Sequence, residues 1–347
     1  MRAKTEKIVT FGEIMMRLST PDHSTINQSH SFLVNYGGGE ANVAVALARM
    51  GHKTTFLTKL PPSQLGDGAI SHLRANGVNT DHIVRGSTTI GIYFLETGFG
   101  GRPSQVIYNR KHSAITRLEI DEVDWEAVFD GATWFHISGI TLALGKRVRD
   151  AAFRAAEEAK KRGVRISFDF NFRSKLWTIE EAGPVYQSFV PYVDILFANW
   201  WDAVTLLGIP QDKTNESSSA MEKCLDVFPR LLEKYGIEYV FGTERTVHSA
   251  TENSLSGFYF SMKNGEQKFG VTPSIRFLIF DRVGGGDAFA SGVIHGLLTD
   301  FEDPEYAVRF GLNTSVLKHT IYGDASLFSC EEIESFMRSN GSPEIRR

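Results

Sequence analysis

The sequence predicts an α/β protein: a mainly parallel, doubly wound sheet with a small second β-sheet attached to it. Three observations carry this expectation. From Trp134 onward, short apolar runs alternate with longer segments of helical period, the pattern of successive βαβ units. Two glycine clusters, Gly37-Gly38-Gly39 and Gly284-Gly285-Gly286, each stand between an extended run and a helix start. Two early stretches, 13–36 and 89–112, are β-rich but carry no helices between their own strands, so they fall outside the alternating body.

Taken in order, Ile8, Val9 and Phe11 open the first core strand, and 20–30 is a polar connection leaving the body. Residues 32–36 are again extended. Gly37-Gly38-Gly39-Glu40-Ala41-Asn42 then starts a helix with Val43, Ala44, Leu47 and Ala48 on one face, stopped by Gly51. A strand at 54–60, a turn at Pro61 and Pro62 and a helix near 68–75 follow. Runs 89–96 and 105–111 flank a glycine-rich loop at 97–103 and read as a hairpin. Strands at 134–140, 164–170, 194–198 and 239–242 alternate with helices at 146–162, 179–190 and 219–235, with a polar loop at 215–219. Runs 258–262 and 267–271, joined through Asn264 and Gly265, read as an antiparallel hairpin at the sheet edge. Residues 275–280 read as a buried strand. The next helix carries Phe289, Val293, Ile294 and Leu297 on its apolar side, and a last one spans about 304–319.

The main domain is therefore assigned to 1–12, 37–88 and 113–347, and a β-sheet lid of antiparallel character to 13–36 and 89–112. The lid's edges and apolar face call for a cover, either substrate or a second subunit, so a homodimer through the lid is expected.

Bulk properties exclude several classes. A net charge of −4 over 347 residues gives no electrostatic reason to bind nucleic acid or an anionic membrane. The two cysteines, Cys224 and Cys330, are far apart and form neither a disulfide framework nor a zinc motif. The ten histidines show no pairing in the sequence. No hydrophobic leader precedes the first strand and no apolar run nears the roughly 20 residues of a membrane span, so a cytoplasmic protein is expected.

The chemistry centres on Asp281-Arg282-Val283-Gly284-Gly285-Gly286-Asp287. A strand, three glycines and a helix N-terminus make an anion site: the backbone approaches closely, successive amides point at one spot and the helix dipole adds positive charge. Asp287 in the first turn is either a helix cap or a base that takes a proton during phosphoryl transfer. This stretch resembles the Asp-Thr-x-Gly-Ala-Gly-Asp motif of the ribokinase-like (PfkB) sugar kinases, with Arg282 in place of threonine and Gly285 in place of alanine. The resemblance implies a three-layer α/β/α sandwich, Asp287 as catalytic base and Gly284, Gly285 and Gly286 as an anion hole. The arginine leaves open whether the neighbouring loop holds a monovalent cation, as it does in some members.

The first glycine cluster fails the dinucleotide fingerprint, which needs glycine where Asn42 stands. It resembles the family's Gly-Gly-x-x-x-Asn element, which implies that Gly38, Gly39 and Asn42 bind sugar hydroxyls. On the lid, Tyr108 and Arg110 share one face of a strand, with Tyr93 on the partner strand, a set suited to a small acid. Arg173 follows the strand end at Asp169-Phe170-Asn171, where open α/β sheets place ligands. Tyr-x-Arg-x-x-Ser-Ala from Tyr108, Ser138-Gly139-Ile140 and Asp-x-Asn-x-Arg-x-x-Leu-Trp from Asp169 resemble one branch of the family, the 2-keto-3-deoxygluconate kinases. That resemblance implies a sugar-acid pocket containing Tyr93, Tyr108, Arg110, Ile140 and Arg173.

On the nucleotide side, Asn199-Trp200-Trp201-Asp202 resembles the family's Asn-x-x-Glu element, which implies Asn199 near phosphate and Asp202 near Mg²⁺ through water. Thr243 and Arg245 stand where many members have a glycine-rich turn, Gly286 belongs to the phosphate cradle, and Asn313 matches a residue beside the adenine. Trp200 and Trp201 read as core. The expected activity is ATP- and Mg²⁺-dependent phosphorylation of a sugar acid's terminal hydroxyl. A kinase for a neutral sugar and a sugar-acid sensor without turnover are the alternatives, and a nicotinamide dehydrogenase is disfavoured for want of the fingerprint.

Overall fold

Successive side chains of a strand point to opposite faces of its sheet, so a run that is apolar throughout must be covered on both. In the computed structural model, which describes residues 5–212, 216–263 and 265–339, strand β1 (Lys7–Phe11) does this: Ile8 packs on one side and Val9 on the other. The chain then leaves the main body through β2 (Met15–Ser19) and β3 (Leu33–Gly37), and α1 (Gly39–Arg49) returns it to β4 (Lys53–Leu57), which pairs in parallel with β1. Two short strands, β5 (Lys59–Leu60) and β6 (Val84–Arg85), flank α2 (Gln64–Ala75). Strands β7 (Gly91–Glu96) and β8 (Gln105–Asn109) follow, then α3 (Trp125–Phe129).

The alternating region runs β9 (Trp134–Ser138), α4 (Gly139–Leu142), α5 (Lys146–Lys161), β10 (Arg165–Asp169), α6 (Ile179–Phe189), β11 (Ile195–Phe197), α7 (Trp200–Thr205), α8 (Ala220–Tyr235) and β12 (Tyr239–Ser249). Antiparallel strands β13 (Glu252–Lys263), β14 (Glu266–Val271) and β15 (Ile275–Leu278) precede α9 (Gly285–Thr299), α10 (Pro304–Lys318) and α11 (Cys330–Arg338).

The large sheet has the order β14-β13-β12-β11-β10-β9-β1-β4, parallel from β12 to β4, with β15 paired to β13. One face carries α5, α6 and α8, and the other α1, α9 and α10, which makes three layers. The order reverses at β1, whose neighbours β4 and β9 follow it in opposite directions, and ligands of such sheets bind beyond the strand ends at that point. Among the described residues no helix is long and apolar enough to cross a membrane.

Three expectations are corrected. The small sheet, in order β3-β2-β7-β8, is not uniformly antiparallel: β2 and β7 run parallel, because α1, β4 and α2 lie between them in the chain and allow the crossover. β15 is not a buried strand; Phe277 is buried, but Leu278 and Phe280 are exposed on a short edge. β12 runs on past Gly242 to Ser249, where it pairs with β13 beyond the body of the sheet. Asn264 of the expected hairpin turn and Asn215 of the expected polar loop lie outside the described residues.

A buried ion network fastens the small sheet to the body. Arg17 of β2 is fully buried and donates to Asp281 at 2.6 Å, Asp324 at 2.5 Å and Ser19 at 2.6 Å. Tyr93 of β7 donates its hydroxyl to the other oxygen of Asp324. Removing one member of such a set leaves the remaining charges buried and uncompensated. Arg17→Met should therefore lower the unfolding free energy by about 3–5 kcal/mol in a urea titration; an unchanged midpoint would contradict the role assigned to this network.

Candidate functional site

Two helix N-termini meet beyond the strand ends of β1, β9 and β10. The start of α9 is set by Gly284, which takes a left-handed conformation (φ +81°) and lies so close to the Asp324 carbonyl that a Cβ would overlap it. The first helical hydrogen bond is Ala288 N–H to Gly284 O at 2.9 Å, so the amides of Gly285, Gly286 and Asp287 stand ahead of the ladder. Gly285 lies against the His319 ring with no room for a side chain, while Gly286 opens onto a cleft. The start of α1 is built the same way: a Cβ on Gly38 would overlap the Glu13 carbonyl, and the ladder begins with Asn42 N–H to Gly38 O at 2.8 Å.

Asp287 joins the two. It does not cap α9, whose N-cap has no side-chain hydrogen bond. Its Oδ2 instead accepts from Asn42 Nδ2 at 2.7 Å, and Asn42 Oδ1 accepts from the Gly38 amide at 3.3 Å. Burial pushes the Asp287 carboxyl up to about 6, against the pull of the Asn42 hydrogen bond and the Arg173 charge. A carboxylate with that affinity for protons is suited to accept one near neutral pH.

The cleft has a volume of about 380 Å³ and is lined by Arg173, Asn199, Asp202, Thr243 and Gly286 together with Asp169 and Asn171. Gly39, at the start of α1, faces Asp287 Oδ1, Asn171 Nδ2 and Ser138 Oγ. Arg173 is exposed and has no carboxylate within 4 Å among the described residues, so its guanidinium is available to a ligand. Asp202 and Asn199 form a reciprocal cap at the start of α7: the Asn199 amide donates to Asp202 Oδ2 at 2.9 Å, and the Asp202 amide donates to Asn199 Oδ1 at 3.1 Å. Burial lifts the Asp202 carboxyl to about 6.

The remaining expected site residues are placed differently. Arg110 is paired with Glu13, and its guanidinium lies 5.6 Å from the centre of the Tyr108 ring. Tyr108 is exposed, with its ring 5.8 Å from that of Tyr93. Tyr93 is buried with its hydroxyl on Asp324. Ile140 lies in the first turn of α4, its amide donating to Ser138 Oγ at 3.2 Å. Arg245 is outside the cleft lining and close to Arg282; burial and that second charge lower its basicity. Asn313 is also outside the lining, its amide donating to the Arg309 carbonyl of its own helix at 2.8 Å.

Three residues that the motifs contain gain roles only in three dimensions. Asp169 ends β10 in the cleft, and burial together with the charge of Asp287 raises its carboxyl to about 8. Glu40 is buried and accepts from the Ser138 amide at 2.9 Å, Ser138 Oγ at 2.7 Å and Thr141 Oγ1 at 2.7 Å, which locks α1 to α4. Asn171 takes a positive φ of 40°, which asparagine tolerates better than most side chains. Trp200 and Trp201, expected in the core, are half-buried and pack against it, and Trp201 also lines the cleft. The histidines are not all isolated either: His52, just past α1, and His295 of α9 are buried together, with Nε2 of the first 2.9 Å from Nδ1 of the second.

Comparison with known proteins shows the family and the fold. The sequence model described as pfkB family carbohydrate kinase matches residues 5–328. The chain is 32% identical over 334 residues to a 2-dehydro-3-deoxygalactonokinase of Haloferax volcanii, covering 96% of this chain and 97% of that protein. It is 28% identical over 335 residues to a 2-dehydro-3-deoxygluconokinase of Bacillus subtilis, covering 95% and 94% respectively. The crystal structure of a 2-dehydro-3-deoxygluconokinase of Thermotoga maritima superposes with a TM-score of 0.90 at 45% identity, over 97% of this chain and all of that one.

The Asn42 contact makes a direct prediction. In a carbon-13 NMR titration the Asp287 carboxyl should titrate at about 6, and Asn42→Ala should move it higher, because the lost hydrogen bond favours the charged form. A midpoint in the ordinary aspartate range, unmoved by the substitution, would contradict the geometry.

Proposed function

The chain belongs to the PfkB family of carbohydrate kinases, and we propose that it transfers the γ-phosphoryl group of ATP to the terminal hydroxyl of a sugar acid, 2-keto-3-deoxygluconate, to give the 6-phosphate. The observation that carries the acidic substrate is Arg173: an unpaired guanidinium in the same cleft that Gly286 opens onto. A neutral sugar offers such a cation only hydroxyl oxygens, whereas a carboxylate matches both its charge and its fork.

In this reading the sugar lies between the small sheet and the inner end of the cleft. Gly38, Gly39 and Asn42 face its hydroxyls, Ile140 flanks it, and Arg173 holds its carboxylate. Tyr108 and Arg110 approach from the small sheet, with Arg110 exchanging Glu13 for substrate, while Tyr93 supports them from beneath through Asp324. Asp287 takes the proton of the attacking hydroxyl, and the amides from Gly284 to Asp287, with the dipole of α9, stabilise charge on the transferring oxygens.

ATP extends along the cleft past Asn199 and Thr243, with Arg245 and Asn313 at its outer margin. Among the described residues no group of three His, Cys, Asp or Glu side chains is arranged to grip a metal alone, and the carboxylates that line the cleft are Asp169 and Asp202. That donor set suits Mg²⁺, which keeps several waters and is held mainly by phosphate oxygens, with Asp202 contacting it through water. When bound, the ion supplies neutralisation of the phosphate charge. Use of ATP as donor supports a cytoplasmic location. The exposed Leu33 and Val34 of β3 and Ile107 of β8 support pairing of two copies through the small sheet.

The relatives above are named for both the gluconate and the galactonate epimer, so both belong in the test. A coupled ATP assay should show turnover with 2-keto-3-deoxy acids and little with fructose, ribose or nucleosides. Arg173→Ala should raise KM for the acid roughly 10- to 100-fold, the worth of a hydrogen bond to a charged group. Turnover of a neutral sugar that Arg173→Ala leaves untouched would overturn the acidic substrate, and no ATP consumption with any acid would leave a sensor in place of an enzyme.

A further inference from the structure

Behind the anion-binding loop, on the side away from the cleft, lies a second cation that the reaction scheme above does not use. Lys318 is completely buried, and its ammonium donates to the main-chain carbonyl of Asp281 at 3.0 Å and stands 3.8 Å from that residue's Oδ1. A lysine in a protein interior needs a strong reason to remain there, since burial favours its neutral form.

The surroundings supply the reason. Asp281 Oδ2 accepts from Arg17 at 2.6 Å and from the Gly323 amide at 3.0 Å, and its Oδ1 accepts from the Val283 amide at 3.1 Å. Asp324 takes Arg17 on one oxygen and the Tyr93 hydroxyl on the other. Two buried cations, Arg17 and Lys318, thus face two buried carboxylates, Asp281 and Asp324. The set balances only when Lys318 is charged. Without it, one net negative charge would remain behind a loop whose task is to receive a phosphoryl group.

Lys318 also belongs to a turn that holds the loop along its length. On the last turn of α10, Ser315 Oγ donates to the Gly285 carbonyl at 2.8 Å. The His319 carbonyl accepts from the amides of Phe280 at 2.8 Å and Asp281 at 3.2 Å, and its ring fills the space under Gly285. Positions 315, 318 and 319 share one helix face. The loop from Phe280 to Gly285 is therefore seated on that face, with Lys318 as its only charged anchor among the three.

We propose that Lys318 is a positioning residue for phosphoryl transfer: a built-in cation that fixes the Asp281 end of the anion loop and cancels the negative charge behind it. It touches neither substrate nor nucleotide. Its effect falls on the step in which charge develops over the Gly284–Gly286 amides. This inference rests on the kinase reading given above.

The test compares Lys318→Met, which keeps the length and removes the charge, with the double variant Lys318→Met/Asp324→Asn, which restores the balance in a side chain of the same size, its oxygen still accepting from Arg17 and its amide donating to the Tyr93 hydroxyl, which reverses that one bond. Lys318→Met should lower kcat about 10- to 100-fold with KM for the sugar acid within about twofold. The double variant should recover most of that loss, and added methylammonium should partly rescue the single variant. A merely structural lysine predicts the opposite: two substitutions in the buried set compound each other, and neither rescue occurs. Unchanged kcat in Lys318→Met, or a double variant slower than the single one, would overturn the proposal.

Wild-type turnover separates this failure from failure of the kinase reading. Affinity for ADP with aluminium fluoride gives a second readout without turnover, expected to weaken in Lys318→Met and return in the double variant. If the wild-type protein shows neither turnover nor binding of that probe, both readings fall together.

Discussion

The hydrogen bond from Asn42 to Asp287 joins two helix starts that lie far apart in the chain, and the architecture of the site follows from it. Each helix contributes amides that its own ladder does not use, together with the positive end of its dipole. Set nose to nose, they would leave an electropositive gap with nothing to orient a reacting group. The shared contact fixes both their spacing and the direction of one carboxylate. Burial raises the proton affinity of that carboxylate, while the asparagine keeps the rise within a range useful near neutral pH.

Asp324 gives the same geometry its rigidity. Its side chain lies where Gly37 has no room for a Cβ, just before α1, and its carbonyl lies where Gly284 has none, just before α9. One residue therefore wedges against both glycine turns, which explains why glycine is required at each. Arg17 and Tyr93 reach Asp324 from the small sheet, so that sheet and the anion loop share one polar core. Movement of the small sheet would be felt at the anion loop through these contacts, without any longer chain of side chains.

Much of this was legible in the sequence because its requirements are local. A glycine forced by a helix start, an alternating βαβ pattern and an arginine four residues past a strand end can be read without knowing what packs on them. What escaped is long-range. Tyr93 sits on the small sheet as expected and Arg110 just past the end of its last strand, but their partners Asp324 and Glu13 come from elsewhere in the chain, and no spacing rule reveals that the tyrosine hydroxyl is taken up by Asp324. Asp169 is legible as a motif residue at a strand end, but its high proton affinity arises only once folding buries it and brings Asp287 and Asp202 near. The direction of β2 against β7 was equally hidden, since apolar patterning marks a strand but not the sense in which it pairs.

The central claim is that Asp287 and the amides beside it act on one migrating phosphoryl group. The most direct measurement is steady-state turnover of Asp287→Asn with ATP and the sugar acid, alongside binding of both substrates. The account predicts a fall in kcat of roughly 10²–10⁴ with the fold and binding retained, as expected when a general base is removed. Turnover close to that of the wild-type protein would contradict it.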